Sequence, residues 1–182
     1  VLAEEASTCT SCGLAVGRTN VVFGAGSSAA DLMFVGEGPG AREDEQGVPF
    51  VGRSGQLLDR LLAEELGIDR TDCYITNVVK CRPPENRDPR PDEIAACRPY
   101  LEQQVALVDP TVIVTLGNFS SKLLLETDVG ITKLRGRSYR FGDPERHLVP
   151  TFHPAAALRG GADVLARMRA DLVRAKVLMG DR

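Results

Sequence analysis

Four apolar segments divide the chain, and each of them predicts a β-strand. Residues 112–116 form an unbroken run of Val, Ile, Thr and Leu, which is typical of a strand buried on both faces. Similar runs at residues 31–35 and 74–79 predict two further strands. A fourth is predicted at residues 147–152, where Pro150 indicates a sheet edge or the end of a strand.

Between these segments, apolar residues recur at helical spacing. Residues 54–66 carry leucines three and four positions apart, and Gly67 ends that segment. Residues 91–108 open with Pro-Asp-Glu, which is a favourable first turn for a helix. Two more helices are predicted at residues 119–125 and 163–179.

Alternating strands and helices predict an α/β fold, in which helices cover both faces of a parallel sheet. We expect a single domain over residues 1–182, because neither a repeat nor a linker interrupts the pattern. Folds of this kind bind ligands beyond the carboxyl ends of their strands. Gly36, Asn77 and His153 all lie at such predicted ends.

The segment that follows the first predicted strand, residues 36–55, is rich in glycine and acidic side chains. A phosphate-binding loop of the Walker type would need Gly-Lys-Ser/Thr, which is absent here. The glycine spacing does not match the dinucleotide fingerprint either. This segment therefore predicts a site for some other small ligand, either flat or anionic.

Composition and charge narrow the class of protein. The chain has 182 residues, of which 43% are hydrophobic and 26% charged, as is usual for a soluble globular domain. Neither a membrane-spanning run nor a secretory signal is recognisable, so we expect a cytoplasmic protein with no membrane contact. The net charge of −3 argues against a uniformly basic nucleic-acid binder.

Basic residues are nevertheless concentrated in two segments. The first segment contains Lys133, Arg135, Arg137 and Arg140 without any acidic residue. The second contains Lys80, Arg82, Arg87, Arg90 and Arg98, diluted by acidic residues. Two such segments beside a candidate site favour a polyanionic partner.

Four of the five cysteines have a spacing that suggests a metal site. Cys9 and Cys12 are separated by two residues, and Cys81 and Cys97 by fifteen. Four thiolates could hold either zinc or an iron–sulfur cluster, and the spacing alone leaves both open. Such a site would join the N-terminal segment to both ends of a proline-rich loop. Cys73 lies within a predicted strand and is interpreted as a small buried thiol.

Five short motifs together resemble a known family. They are Gly-Glu-Gly-Pro-Gly at 36–40, Pro-Phe-Val-Gly at 49–52, Thr-Asn-Val-Val-Lys-Cys-Arg-Pro-Pro at 76–84, Asn-Arg-Asp-Pro at 86–89 and His-Pro-Ala-Ala at 153–156. With the four cysteines, and in this order, they resemble family 4, the iron–sulfur uracil-DNA glycosylases. The resemblance implies a three-layer α/β sandwich whose central sheet has four mainly parallel strands. It also implies a 4Fe–4S cluster held by Cys9, Cys12, Cys81 and Cys97.

The resemblance further implies which residues bind a uracil flipped out of DNA. The Gly38 N–H would bind uracil O2, and the Phe50 ring would stack on the base. The Asn77 amide would accept from uracil N3–H and donate to O4. His153 would donate to O2 as negative charge develops there, while Glu43 or its neighbours would exclude the methyl group of thymine.

The expected chemistry also needs a group that holds the attacking water. Several sister families carry an aspartate where this sequence has Gly38. Glu37 and Asn86 are therefore the first candidates for holding the water, and Glu43 is the third. Carboxylates are the usual groups for this task.

Contacts with DNA are expected around the same site. The residues expected to contact phosphates are Ser54, Lys133, Arg135 and Arg137. Ala157 stands where a leucine usually fills the gap left by the flipped base, so Leu158 or Arg159 would take that role. The expected partner is uracil-containing DNA, single- or double-stranded, bound by a monomer.

Three other functions have to be weighed against a uracil glycosylase. A related group traps uracil-DNA covalently, but its hallmark is a basic insertion with a histidine, and residues 79–83 continue without one. An electron carrier would leave Asn77, Phe50 and His153 without a purpose. A broader-range glycosylase of the neighbouring family is the nearest alternative, although Glu37, Asn77 and Asn86 favour the uracil-selective one.

Overall fold

The computed structural model describes residues 1–180 and is built around one mixed β-sheet. The strands are β1 (Ala25–Gly26), β2 (Leu32–Gly36), β3 (Tyr74–Asn77), β4 (Val112–Leu116), β5 (Tyr139–Phe141) and β6 (Arg146–Thr151). They lie in the order β1-β3-β2-β4-β6-β5, and the four central strands run parallel. The four central strands are those predicted from the sequence, and the α/β class is confirmed.

The sheet is wider than the four strands expected. Within residues 1–180 it has six strands, because β1 and β5 pair antiparallel at its two edges. These edge strands have two and three residues. Segments that short carry too few alternations for a hydrophobic period to be recognised. They form because a neighbouring strand is already in place to pair with them.

Eight α-helices are described in the same part of the chain. They are α1 (Leu2–Ser7), α2 (Leu14–Gly17), α3 (Ala41–Gln46), α4 (Arg53–Leu61), α5 (Pro91–Val108), α6 (Asn118–Leu125), α7 (Ile131–Leu134) and α8 (Pro154–Met179). A π-helical turn at Leu62–Leu66 continues α4, and a short 3-10 turn lies at Pro84–Asn86. None of the helices over these residues is both long and apolar enough to cross a membrane.

Several helices differ from the sequence-based expectation: α1, α2, α3 and α7 were not predicted, and α8 begins earlier than expected. Helix α8 begins at Pro154 rather than at residue 163, and the backbone of Gly161 (φ 70°, ψ −153°) interrupts it. Helix α3 was missed because glycines flank it. Gly40 precedes it, and Gly47 ends it in the left-handed conformation (φ 71°).

Helices cover both faces of the sheet, which gives three layers. Side chains of β2 alternate between the two faces: Leu32 and Phe34 pack with α4 and α8. Met33 and Val35 pack with α5 and with Leu14 of α2 on the other face. All five residues of β2 are buried, as expected for a parallel strand covered on both sides. This packing holds the carboxyl ends of the four parallel strands at one edge.

Candidate active site

A cleft of about 670 Å³ opens at the carboxyl edge of the parallel strands. Its walls come from the loops that follow β2, β3, β4 and β6, which lie far apart in the sequence. Nine predicted site residues line it: Glu37, Gly38, Glu43, Phe50, Ser54, Asn77, Asn86, His153 and Arg159. Lys133, Arg135, Arg137 and Leu158 lie outside it.

Asn77 ends β3 and carries an unpartnered acceptor. Its side chain is 2% exposed, and its Oδ1 has no hydrogen-bond partner within residues 1–180. A buried polar atom left unpaired costs about 1–3 kcal/mol. Such an atom in the wall of a cleft is satisfied when a ligand brings an N–H group to it. Gly36 of the neighbouring strand leaves the space beside that oxygen free, because it has no side chain. A Cβ at Gly36 would lie 2.4 Å from Asn77 Oδ1.

Phe50 is held in a strained conformation beside His153. Its backbone has φ 53°, in the left-handed region that side chains other than glycine rarely adopt. The Arg70 guanidinium donates to the Phe50 carbonyl at 2.6 Å. Gly55 packs so closely behind that carbonyl that a Cβ would lie 1.8 Å from its oxygen. The ring is thereby presented to the cleft, with its centroid 5.7 Å from that of the His153 imidazole.

His153 is neutral, and its tautomer is set by the helix that follows it. It caps α8, where its Nδ1 accepts a hydrogen bond from the Ala155 N–H at 3.1 Å. The proton of the neutral ring therefore lies on Nε2, as inferred from this bond. Burial and, to a smaller extent, the Arg159 charge lower the pKa of His153 to about 4, while the Glu43 charge opposes both. A neutral donor at this position can stabilise a developing anion without giving up a full proton.

Glu37 follows β2 directly and lines the cleft as a half-buried carboxyl. Burial raises the pKa of Glu37, and the neighbouring Asp88 charge raises it further. A carboxyl whose pKa is raised by burial and a like charge in a cleft is a candidate general base.

Glu43 has a different role from the one expected for a water-binding carboxylate. Its Oε1 accepts from the backbone N–H groups of Val51 and Gly52, at 2.9 Å and 3.0 Å. Its Oε2 accepts from the Gly40 N–H at 3.2 Å, at the start of α3. Both oxygens thus hold the two loops that form one wall of the cleft. We therefore interpret Glu43 as a positioning residue.

Asn86 lies at the rim of the cleft on the turn Pro84–Asn86. It is exposed and has φ 55°, a left-handed value that asparagine tolerates better than most residues. Its Oδ1 accepts from Arg82 Nε at 2.8 Å. This contact orients the amide at the edge of the site.

One of the predicted phosphate contacts is engaged inside the protein. The Arg135 guanidinium forms two hydrogen bonds to the buried carboxylate of Asp171, both at 2.8 Å. It also lies over the ring of Phe152. Arg135 therefore joins α7 to α8, and the expectation of a phosphate contact is withdrawn for this residue. Lys133 and Arg137, on either side of it, are exposed.

The candidates for filling the space of a flipped base lie on the first turns of α8. Ala157 is 7% exposed and belongs to the core. Leu158 is 45% exposed, which is unusual for a leucine, and Arg159 is exposed at the cleft. Both therefore have the access to DNA that Ala157 lacks.

The expected metal-binding cysteines line one small cavity. Cys9, Cys12, Cys81 and Cys97 surround it, whereas Cys73 lies in the core on the other face of the sheet. The Sγ of Cys81 accepts from Arg18 at 3.4 Å, and the Sγ of Cys97 accepts from the Lys80 N–H at 3.4 Å. Over residues 1–180, no group of three or more His, Cys, Asp or Glu side chains is arranged to hold a single metal ion.

Lys80 was expected to contribute to a basic surface, but it is buried with 2% exposure. Its ammonium donates to Thr76 Oγ1, Asn77 O and Gln104 Oε1 at 2.7, 2.6 and 2.5 Å. Burial lowers the pKa of Lys80 to about 7, while these three acceptors favour its charged form. The apolar neighbours Val79 and Cys81 are the sequence feature that could have indicated that Lys80 is buried.

Comparisons with known proteins agree with this geometry. Residues 23–174 match the uracil DNA glycosylase superfamily. A type-4 uracil-DNA glycosylase of Sulfurisphaera tokodaii is 50% identical over 161 residues, which cover 85% of this chain and 73% of that protein. The chain belongs to the type-4 family of this superfamily.

Two further relatives belong to the same superfamily. A type-4 uracil-DNA glycosylase of Thermotoga maritima is 46% identical over 169 residues, covering 92% of this chain and 87% of its own. A type-5 uracil-DNA glycosylase of Thermus thermophilus is 31% identical over 152 residues, covering 72% and 68%. The family inferred from the five motifs is therefore confirmed.

Several residues that shape the site were not found by sequence reasoning. Phe119, Gly117 and Arg53 also line the cleft, and Arg70 holds Phe50 from behind. The loop after β4 could have been predicted to line the site, because it also follows the carboxyl end of a parallel strand. The role of Arg70 depends on a contact between distant segments, for which the sequence offers no local sign.

Proposed function

We propose that this protein is a DNA-repair glycosylase that hydrolyses the N-glycosidic bond of uracil in DNA and leaves an abasic site. Its membership of a family whose members are named uracil-DNA glycosylases supports this function. The observation that carries the proposal is the unpaired, buried Oδ1 of Asn77 in a cleft that also presents Phe50 and His153. Such a site suits a small flat ring with an N–H on its edge.

Selection of uracil over cytosine follows from this acceptor. The target base leaves the helix and enters the cleft, since its glycosidic bond is not accessible in the duplex. Uracil N3 carries a hydrogen that Asn77 Oδ1 accepts, whereas cytosine N3 is itself an acceptor. With cytosine, two acceptors would face each other, at a cost of about 1–3 kcal/mol per buried group. Phe50 stacks on the ring, and Gly38 leaves its backbone N–H accessible to O2.

The bond between C1′ and N1 breaks with its electron pair moving to uracil, which departs as an anion. Its negative charge spreads to O2, where the Nε2–H of His153 donates. Because His153 is neutral, this hydrogen bond grows stronger as the charge develops and requires no proton transfer. The stabilisation is therefore larger in the transition state than in the ground state, which is what accelerates the reaction.

The other half of the reaction is the attack of water on C1′. Glu37 is the candidate base: its carboxylate holds the water and receives its proton. Burial and the Asp88 charge, which raise the pKa of Glu37, make this carboxylate a stronger base. The Asn86 amide at the rim would orient the same water. Glu43 would act by keeping the loops around Phe50 in place.

Membership of the type-4 family supports a 4Fe–4S cluster, rather than zinc, at the four cysteines. Their side chains surround one cavity. Burial raises the pKa values of the Cys81 and Cys97 thiols, so stable thiolates there need a bound cation. When bound, the cluster would supply a structural link rather than a chemical step. Cys9 and Cys12 would tie the N-terminal segment to the ends of the loop that carries Asn86.

We expect the partner to be uracil-containing DNA, single- or double-stranded. Arg53 and Arg159 are exposed basic residues that line the cleft, and Lys133 and Arg137 are exposed outside it. Phosphate contacts of this type make binding depend steeply on salt. Ser54, in the first turn of α4, is placed at the cleft with its hydroxyl available for a phosphate.

The test is an oligonucleotide with one uracil, supplied in excess over the holoprotein and followed by alkaline cleavage of abasic sites. We expect many turnovers on uracil and none on matched oligonucleotides with cytosine or thymine. The Asn77→Ala variant should lose about 5- to 150-fold in kcat/KM, which corresponds to 1–3 kcal/mol. Gln103→Ala, an exposed amide on α5, is the matched control and should retain activity.

Two results would contradict the proposal. No uracil release by the wild-type protein would exclude a glycosylase. A protein–DNA band that survives denaturation, with one base lost per protein, would assign the protein to the trapping class instead.

A further inference from the structure

Lys80 is a buried lysine that contacts both the candidate uracil site and the cysteine cavity. Its three ammonium protons have three acceptors: Thr76 Oγ1, the Asn77 carbonyl oxygen and Gln104 Oε1. Each of these distances is between 2.5 and 2.7 Å, which is short for an N–H···O hydrogen bond. The Lys80 side chain is thus satisfied by neutral groups, two at the end of β3 and one on α5.

The backbone of the same residue reaches the cysteines. The Lys80 N–H donates to Cys97 Sγ at 3.4 Å, and the next residue along the chain is Cys81. On its other side, the Lys80 carbonyl accepts from the Val22 N–H at 2.7 Å. One residue therefore connects Asn77 to two of the expected cluster ligands.

Burial at this position is energetically unfavourable for a lysine side chain. Over residues 1–180, none of the ion pairs involves Lys80, although it is among the largest fully buried side chains. Burying an amino group that can carry a charge is unfavourable, and an apolar residue of similar length would fill the same space without that cost. Packing alone therefore does not account for Lys80. Its distinctive contribution is the set of hydrogen bonds that it donates to the end of β3.

The hydrogen bond to Asn77 has a specific geometric consequence. Asn77 is the last residue of β3, and beyond it the chain turns towards Cys81. The Asn77 carbonyl is held by the ammonium, while the next N–H, that of Val78, donates to Gly36 O at 2.9 Å. Fixing the peptide on this side limits how the Asn77 side chain can rotate away from the cleft.

We infer that Lys80 is a positioning residue for uracil recognition, which acts by fixing Asn77 and by linking it to the Cys81–Cys97 side of the cysteine cavity. The inference rests on the proposed function, since it concerns the residue that would select uracil. Lys80 itself does not line the cleft and contacts no substrate. Its effect should therefore depend on the presence of the Asn77 side chain.

A double-mutant cycle tests this dependence. Holoproteins with Lys80→Met, Asn77→Ala and both changes are compared in kcat/KM on the uracil oligonucleotide. We expect Lys80→Met to lower kcat/KM by about 5- to 150-fold when Asn77 is present, which corresponds to a coupling of about 1–3 kcal/mol between residues in contact. In the Asn77→Ala background, the same change should alter it by less than about 2-fold.

A second readout is independent of turnover. Fluorescence anisotropy measures the Kd for an oligonucleotide with 2′-fluorinated deoxyuridine, whose glycosidic bond resists hydrolysis, against the same strand with thymidine. Lys80→Met should reduce the preference for the uracil strand, with unchanged affinity for the thymidine strand. The cluster's visible absorbance per protein should stay at the wild-type level. Lys176→Met, an exposed lysine on α8, is the matched control and should change neither quantity.

Thr76→Val provides a milder variant in case Lys80→Met does not fold. It removes one acceptor of the ammonium and keeps the shape of the side chain. It should show the same dependence on Asn77 with a smaller loss. Equal losses with and without Asn77, for either variant, would overturn the inference and indicate a general structural role. A different result would contradict the proposed function: the wild-type protein would neither release uracil nor prefer the uracil strand.

Discussion

The ring of Phe50 stacks on the imidazole of His153, with centroids 5.7 Å apart and planes inclined by 30°. The first residue lies in the loop between α3 and α4, and the second caps α8. Their contact forms one continuous wall of the cleft, in which the surface for stacking a base adjoins the donor for its O2. A flat base that lies against Phe50 is therefore brought within reach of His153, which joins binding to the proposed chemistry.

The neutral state of His153 predicts how stability depends on pH. Its pKa is about 4 in the folded protein, against about 6.5 in an unfolded chain. Between these values the unfolded state binds more protons, so stability is complete above about pH 6.5 and falls as the pH drops towards 4. We expect the wild-type Tm to fall more between pH 7 and pH 5 than that of His153→Gln, as followed by circular dichroism. Equal falls would show that His153 titrates normally.

The activity should have a matching pH profile. A neutral donor predicts a kcat/KM that does not increase as the pH is lowered from 8 to 6, within the range where the protein stays folded. Steady-state rates on the uracil oligonucleotide measure this. A rise with an apparent pKa near that of an ordinary histidine would mean that the imidazolium is the active form.

Gly36 should be intolerant of even one methyl group. Its backbone conformation is open to alanine, but a Cβ would lie 2.4 Å from Asn77 Oδ1 and 2.6 Å from the Phe50 ring. Both side chains would have to move, at a cost of about 1–3 kcal/mol, or roughly 5- to 150-fold in affinity for the uracil analogue. Gly17→Ala is the control, because nothing lies within 4 Å of a Cβ at that position. Unchanged binding in Gly36→Ala would mean that the two side chains do not form the site.

Substitutions of the neighbouring Arg135 and Arg137 should affect different properties, the first stability and the second DNA binding. Arg135→Met leaves the buried Asp171 carboxylate without its main partner, which should cost about 3 kcal/mol in the free energy of unfolding. Urea denaturation measures this loss. Arg137→Ala should leave stability unchanged and reduce the slope of log K against log salt by about one. A reduced slope in Arg135→Met at full stability would restore Arg135 as a phosphate contact.

The cysteines offer a direct test of the proposed cluster. Cys12→Ser should lose iron and visible absorbance and should lower the Tm, because one of the four ligands is removed. Cys73→Ala is the matched control, since that thiol lies in the core on the opposite face of the sheet. It should keep about four iron atoms per chain. Zinc instead of iron in the wild-type protein would contradict the cluster.

Much of the fold and of the site could be predicted from local patterns. The β-branched run at residues 112–116 became β4 without a change of bounds, because a strand buried on both faces is encoded by its own composition. Asn77 and His153 were recognised because motifs mark them and because parallel strands bring their carboxyl ends to one edge. A local pattern is sufficient wherever the neighbours of a residue follow from the regular geometry of the sheet.

Only the tertiary structure decided which basic residues face solvent and which support the site. Lys80, Arg135 and Arg137 look alike in the sequence, but the first is buried, the second is paired with Asp171 and the third is exposed. The same holds for the edge strands β1 and β5, which exist only because a partner strand is present. The sequence by itself determined the four central strands, the longer helices and the chemistry at the strand ends, since these depend on short-range periodicity and residue type. Burial and ion pairing depend on contacts between segments far apart in the chain, and those exist only once the chain has folded.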